Sequence, residues 1–382
     1  VGMQGRTGNT GRLRAAEWGL SVGGFPSGVH NALTDVPGVR VGHTTVRRSP
    51  DIHSGVTAIL PGERVSPQRP VAAGVFTGNG YGKLIGSTQL AELGELETPV
   101  LLTSTLSAFR VADALVGWML ERPECASTVS LNPVVGECND GHLSDIRARP
   151  VHEEHVRAAL DGASAGPVAE GCVGAGTGTG ALGFKAGIGT ASRVVALPGE
   201  GTRYTLGALV QANFGGTLRI GGELLTPGGL GLRPDAPPPE KGSCMIVVGT
   251  DAPLDARQLG RLARRAVFAL ARVGAAYGHG SGDYAIAFST TAATRRASDA
   301  RDPEPRDPEP PSPYAERPGP APADSALNPL FEAALDTVEE SVLNSLLAAV
   351  TTTGHRGRTL PALPVEALRR RPPGTGPAPH AG

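Results

Sequence analysis

Short apolar runs rich in Val and Ile, each bounded by Gly, Pro or Asp, recur along the chain. They predict strands at Val39–Val46, Gly55–Leu60, Val71–Phe76, Val100–Thr103, Thr128–Val135, Arg193–Leu197, Tyr204–Gln211, Cys244–Gly249 and Tyr284–Ser289. Between them the apolar period lengthens to that of a helix. Phe109, Ala112, Leu115, Val116 and Met119 make one stripe over Ser107–Leu120. Leu259, Leu262, Ala266, Val267 and Leu270 make another over Asp255–Val273, with Arg257, Arg261, Arg264 and Arg265 largely off it. Over Asn328–Val350, Phe331, Leu335, Val338, Val342 and Leu346 repeat through several turns. Strands and helices mixed in one continuous chain predict a layered α/β or α+β domain.

Two stretches lack any core-forming pattern. Residues 294–325 hold a duplicated Asp-Pro-Glu-Pro and a further Pro-rich run, and residues 369–382 form a Pro/Gly-rich tail. Both are expected to be disordered. The 382 residues otherwise read as a single domain.

Composition narrows the picture. Only 4% of residues are aromatic, so the core must be built from Val, Leu, Ile and Ala. The 54 glycines are about twice the usual ~7% share. With a net charge of −1 and no basic stripe, nucleic acid is not an expected partner; the Arg369–Arg371 run reads as solvated charge. No apolar run approaches the ~20 residues of a membrane span, and the N-terminal residues lack a signal-peptide apolar core. A cytoplasmic location is the expectation. Cys125, Cys138, Cys172 and Cys244 form no CxxC pair and read as buried thiols.

Four motifs invite chemistry. Gly178, Gly180 and Gly183 match GxGxxG, but no apolar strand precedes them and glycines follow where a helix should run. A nucleotide needs that strand–turn–helix context, so the run from Gly171 to Gly180 is read as a structural or active-site loop. His152 and His155 are three apart, with no evident third metal ligand, and are read as a solvated helix face; no metal or other cofactor is expected. At Gly242–Ser243 a Pro-rich loop meets a buried-strand pattern. Were that bond cut, Ser243 would begin a strand with a free α-amino group of pKa ~7.7–8.0, able to serve as base to its own hydroxyl. Gly278–Tyr284 is a second Gly-rich turn entering a strand; Ser281 and Asp283, two apart, share a face there.

Seven blocks taken in order carry a resemblance. They are Asn31–Thr45, Thr77–Gly82, Pro133–Gly141, Gly174–Gly178 with Gly183–Ser192, Val210–Gly215, Gly242–Ser243, and Ser281–Ser289. Together they resemble the L-aminopeptidase/D-esterase and β-peptidyl aminopeptidase family of self-processing serine enzymes, over about residues 25–293 and 326–365. The resemblance implies an αββα sandwich, like that of N-terminal-nucleophile hydrolases but with different connectivity. It implies autocleavage into an α chain of residues 1–242 and a β chain of residues 243–382, associated in a homo-oligomer. It implies hydrolysis of small peptides, amides or esters, β-peptides among them.

By the same resemblance Ser243 is the nucleophile, Asn213 supports the oxyanion, and Ser281 and Asp283 stand beside the nucleophile. Glu137 receives the substrate's ammonium group. Some members place a tyrosine just after that glutamate as a second oxyanion donor; here Cys138, Asn139 and His142 occupy the region, and Asn139 or His142 would donate instead. Two other readings remain: N-acetyl transfer to ornithine, whose processed nucleophile is threonine, and an unprocessed binding protein without activity.

Overall fold

The computed structural model describes residues 13–63, 65–198, 201–232, 242–291 and 321–365. The chain enters through β1 (Arg40–Arg48) and β2 (Ile52–Leu60), then β3 (Val71–Gly80), β4 (Leu84–Ile85), α1 (Ser87–Leu93) and β5 (Glu95–Leu96). β6 (Val100–Ser104), α2 (Ala108–Leu120), β7 (Val134–Cys138) and α3 (Glu153–Asp161) follow. A short hairpin, β8 (Gly180–Ala181) and β9 (Phe184–Lys185), leads to β10 (Ile188–Ala196) and β11 (Arg203–Asn213). Beyond the hairpin of β12 (Leu218–Ile220) and β13 (Glu223–Leu225) come β14 (Ser243–Thr250), α4 (Ala256–Ala269) and β15 (Gly282–Ser289). α5 (Asn328–Leu347) and the hairpin of β16 (Thr352–Thr353) and β17 (Thr359–Leu360) end the described chain.

The strands assemble into two sheets, ordered β1-β2-β6-β7-β4 and β10-β11-β14-β15-β3-β5. Alternation along each strand sorts the apolar residues onto two faces. Ile59, Leu102 and Val134 of the first sheet meet Leu209, Met245, Val247 and Ile286 of the second in a core between the sheets. The outer face of the first sheet packs Val56, Leu101 and Val135 against Leu115 and Met119 of α2 and Val156 and Leu160 of α3. The outer face of the second packs Val210, Ile246, Val248 and Ala285 against Leu259 and Leu262 of α4 and Val338 and Val342 of α5. The result is an αββα sandwich, as the resemblance implies. Each fully buried Leu, Ile or Val contributes about 1.5–3 kcal/mol. The four cysteines are free and buried. Among the described residues, no helix is long and apolar enough to cross a membrane.

Local chemistry explains the boundaries. α4 begins at a capping box: Asp255 Oδ1 accepts the Gln258 N–H at 2.7 Å, and Gln258 Oε1 accepts the Asp255 N–H at 3.2 Å. The strand expected over Thr128–Val135 starts only at Val134. Pro133 has no N–H to give to a central ladder, and Val129 lies wholly in solvent. The strand expected at Arg193 starts earlier, at Ile188. Its Gly and Ala residues are there because α5 lies directly on it: a Cβ on Gly189 would sit 1.9 Å from the Ser341 carbonyl. In α2 the stripe holds at Ala112, Leu115 and Met119, whereas Phe109 is 67% exposed and Val116 only half-buried. α5 is buried on nearly every side, and even Glu340 is enclosed, paired with Arg193 at 2.6 Å.

The expected insertion at 294–325 lies outside the described residues except for 321–325, and the tail at 369–382 lies wholly outside them. Residues 321–325 are anchored on α4: the Pro322 carbonyl accepts Gln258 Nε2 at 2.7 Å, and Asp324 pairs with Arg257 at 2.7 Å.

Candidate active site

The site is built around the first residue of β14. All eight residues of this strand are buried, and it runs between β11 and β15 in the middle of the second sheet. Ser243 stands opposite Asn213 on one side and Gly282 on the other. Met245 and Val247 face the core between the sheets, whereas Cys244, Ile246 and Val248 face α4 and α5. Ser243 therefore turns its side chain toward the first sheet. A Cβ built on Gly282 would lie 3.3 Å from Ser243 Oγ, which places the hydroxyl on that face. The same Cβ would meet Gly82 N and Cα at 2.4 Å. Two glycine backbones thus touch at the wall beside the hydroxyl, an approach only Gly permits. From the first sheet, Cys138 Sγ donates to the Ser243 carbonyl at 3.2 Å; burial pushes this thiol's pKa well up, so it stays protonated.

Ser281 and Asp283 flank Gly282, so their side chains lie on the other face, with Cys244. Ser281 Oγ donates to Asp283 Oδ1 at 2.8 Å, and both residues are buried. The pair is formed as expected, but on the face opposite the Ser243 hydroxyl, with Asp283 beside the Cys244 backbone. Asp283 Oδ2 is buried with no hydrogen-bond partner among the described residues, and burial raises the carboxyl's pKa. Between the two faces, the Gly282 N–H donates to the Gly242 carbonyl at 3.2 Å. A Cβ on Gly242 would come within 2.7 Å of Phe214 Cα, so this position too is backbone-packed.

Asn213 has its amide oriented from two sides. Nδ2 donates to the Asn139 carbonyl at 3.1 Å, and Oδ1 accepts the Gly180 N–H at 3.2 Å. The Gly-rich run thus supports the site through its backbone. A Cβ on Gly178 would fall 2.1 Å from the His53 carbonyl, which explains the glycine there. Asn139 also closes its own turn, Oδ1 accepting the Gly141 N–H at 2.9 Å. His142 lies on the same turn, its carbonyl accepting Arg358 Nη1 at 3.4 Å.

Glu137 is the penultimate residue of β7 and is 2% exposed. Oε1 accepts the Lys83 N–H at 2.9 Å, with Lys83 Nζ at 3.9 Å, and Oε2 accepts the Thr105 hydroxyl. Each oxygen keeps a lone pair for a further donor. A Cβ on Gly82 would lie 3.4 Å from Glu137 Oε1 and 3.1 Å from Gly282 Cα, so Gly82 alone spans the gap between carboxylate and nucleophile wall. Asp140, close by, accepts the Ser104 hydroxyl at 2.8 Å; burial raises its carboxyl to about 6.

All the expected residues thus fall in one region, Asn139 being joined directly to Asn213. Lys83, Thr105, Gly82 and Tyr284, whose hydroxyl donates to the Gly82 carbonyl at 2.9 Å, were given no role by the sequence. Gly82 and Tyr284 carried a signal, since both lie in blocks that carry the resemblance; Lys83 and Thr105 carried none. His152 and His155 serve a helix end: His155 Nδ1 accepts the His152 N–H at 3.0 Å and caps α3.

Two sheets face to face between helices, with a serine opening a central strand, define a hydrolase of the N-terminal-nucleophile type. The model of peptidase family S58 matches residues 31–360, and the chain belongs to that family. It is 38% identical over 379 residues to a β-peptidyl aminopeptidase of Sphingosinicella microcystinivorans, covering 93% of this chain and 91% of that protein. Among solved structures it resembles a β-aminopeptidase from a Burkholderia species, at 39% identity and a TM-score of 0.78, over 94% of this chain and 97% of that one. It also resembles the L-aminopeptidase D-Ala-esterase/amidase of Ochrobactrum anthropi, described as a new variant of the Ntn hydrolase fold. There the identity is 39% and the TM-score 0.78, over 93% of this chain and 97% of the other.

Proposed function

We propose that this chain is a serine aminopeptidase and amidase that generates its own nucleophile by cutting the Gly242–Ser243 bond. Membership of the peptidase family supports the hydrolase reading over acetyl transfer, as does serine rather than threonine at position 243. The observation that carries the reading is the place of Ser243 at the start of a central buried strand, its hydroxyl on one face and the Ser281–Asp283 pair on the other.

Self-cleavage begins when Ser243 Oγ attacks the Gly242 carbonyl carbon. The Gly282 N–H, already on that carbonyl oxygen, stabilises the charge that develops there. The C–N bond breaks as the departing nitrogen takes up the proton lost by the hydroxyl, leaving an ester on Oγ and a free amine on Ser243. Water then hydrolyses the ester, and Gly242 keeps the new carboxylate. Asp283, next along β15 from the strand partner of Ser243, carries an oxygen with no hydrogen-bond partner among the described residues, which suits an ammonium donor.

In turnover the neutral amine takes the hydroxyl proton as Oγ attacks a substrate carbonyl. The remaining N–H of the Asn213 amide donates to the oxyanion, with Asn139 beside it. The leaving amine departs protonated, and water resolves the acyl-enzyme. Glu137 receives the substrate's ammonium group, so small peptides and amides with a free N-terminus are the substrates, β-amino acyl ones among them. The homo-oligomer expected from the resemblance remains part of this proposal.

The test is the kcat/KM–pH profile on a free-amine amide and its N-acetylated counterpart. The base must be neutral, so activity rises with pH through a pKa near ~7.7–8.0, moved up where Asp283 stabilises the ammonium and down where burial disfavours it. Glu137→Gln raises KM while processing persists. Equal turnover of free and acetylated substrates removes Glu137 from this role.

A further inference from the structure

The turn after β3 is held at three points, yet it presents its one aromatic ring to solvent. The Tyr81 N–H donates to the Ser281 carbonyl at 3.3 Å, the Gly82 carbonyl accepts Tyr284, and the Lys83 N–H donates to Glu137. Between these fastenings the Tyr81 side chain is 57% exposed. It meets His279, also exposed, edge-on, with ring centroids 6.0 Å apart and planes at 64°. His279 stands on an equally constrained loop: the Gly278 carbonyl accepts Asn79 Nδ2 at 2.6 Å and the Ser281 N–H at 2.9 Å. Two exposed rings are thus carried on rigid loops, one residue from the Gly82 wall and two from Ser281.

We infer that Tyr81 and His279 form the lip that receives the side chain of the substrate's N-terminal residue and favours apolar and aromatic ones. The inference rests on the aminopeptidase reading. With the substrate's ammonium group at Glu137 and its carbonyl at Ser243 Oγ, the chain between them runs past Gly82. A side chain on the ammonium-bearing carbon then leaves beside the Tyr81 turn. A ring on a fixed backbone supplies contact area at small entropic cost, and an edge-on pair offers both a face and an edge to an incoming apolar group.

The experiment compares kcat/KM for the p-nitroanilides of glycine, alanine, leucine and phenylalanine, with oligomeric state followed by sedimentation. The comparison covers the wild type, Tyr81→Ala, Tyr81→Phe and His279→Ala. Tyr81→Ala is expected to lower the phenylalanine-to-alanine ratio roughly tenfold, mainly through KM, with self-cleavage kept. Tyr81→Phe restores the ratio, and His279→Ala lowers it less. An unchanged ratio, or an equal loss on all four substrates, overturns the lip. So does an unchanged ratio with altered sedimentation, which makes the pair a subunit contact. A wild type inactive on every amide overturns the aminopeptidase reading and the lip with it; selectivity that fails to move in an active enzyme overturns the lip alone.

Discussion

Replacing Gly282 by alanine tests whether glycine backbones form the wall of the nucleophile. The new Cβ would stand 2.4 Å from Gly82 N and Cα, against the 3.4–4 Å of an ordinary contact, so the two backbones must separate by about 1 Å. Neither is free to yield. Gly82 is held through Tyr284, Tyr81 is tied to the Ser281 carbonyl, and the Gly282 N–H is bonded to the Gly242 carbonyl. The displacement therefore reaches Ser243, whose Oγ would lie 3.3 Å from the added methyl. Overpacking of this kind costs about 1–3 kcal/mol of stability. A misplacement of about 1 Å costs on the order of 100-fold in rate. Gly80→Ala is the control, since its Cβ would meet only Thr77 Cγ2, at 3.8 Å. Urea unfolding, gel analysis of processing and kcat/KM on alanine p-nitroanilide should show a folded, slowly processed, weakly active Gly282→Ala beside a near-normal Gly80→Ala. A Gly282→Ala enzyme within threefold of wild type would refute the reasoning.

Two further outcomes follow from burial and strand alternation. Asp140 titrates at about 6 in the fold against an ordinary 3.8, so the folded state keeps a proton that the unfolded chain has lost. Its contribution to stability therefore falls as pH rises from about 4 to about 6, by up to roughly 3 kcal/mol. Asp140→Asn should lose that part of the slope in urea unfolding across the window, and a slope equal to wild type would contradict it. Cys244 faces α4 and α5 rather than the cleft, so Cys244→Ala should keep processing and most activity, at a cost of about 1–2 kcal/mol in unfolding free energy. Loss of processing in a folded Cys244→Ala would mean that the nucleophile is misassigned.

Much of this was legible because burial leaves its mark on residue type. β14 and β15 are buried on both faces, and their unbroken apolar runs were recognised to within two residues at the start. The abrupt change at Gly242–Ser243 marked where the central strand begins. The Ser281–Asp283 spacing marked a shared face, which the 2.8 Å hydrogen bond bears out. What stayed hidden depends on close approach between distant segments. The Gly82–Gly282 contact joins residues two hundred positions apart, and a glycine looks the same whether it makes a turn or a wall. Gly189 fell outside the strand expected from Arg193 because the helix that requires it, α5, comes some 140 residues later. That Ser281 and Asp283 face away from the hydroxyl depends on the parallel register of β14 with β15, which pairs Ser243 with Gly282.

The central claim is that Ser243 cuts the bond before it and then works from the new N-terminus. Intact mass spectrometry of the purified wild type beside Ser243→Ala tests it directly. The wild type should appear as two chains of 242 and 140 residues, the second beginning at Ser243, and the variant as one chain of 382. A wild type that stays whole while hydrolysing amides, or a variant that still splits at Gly242, would contradict the account.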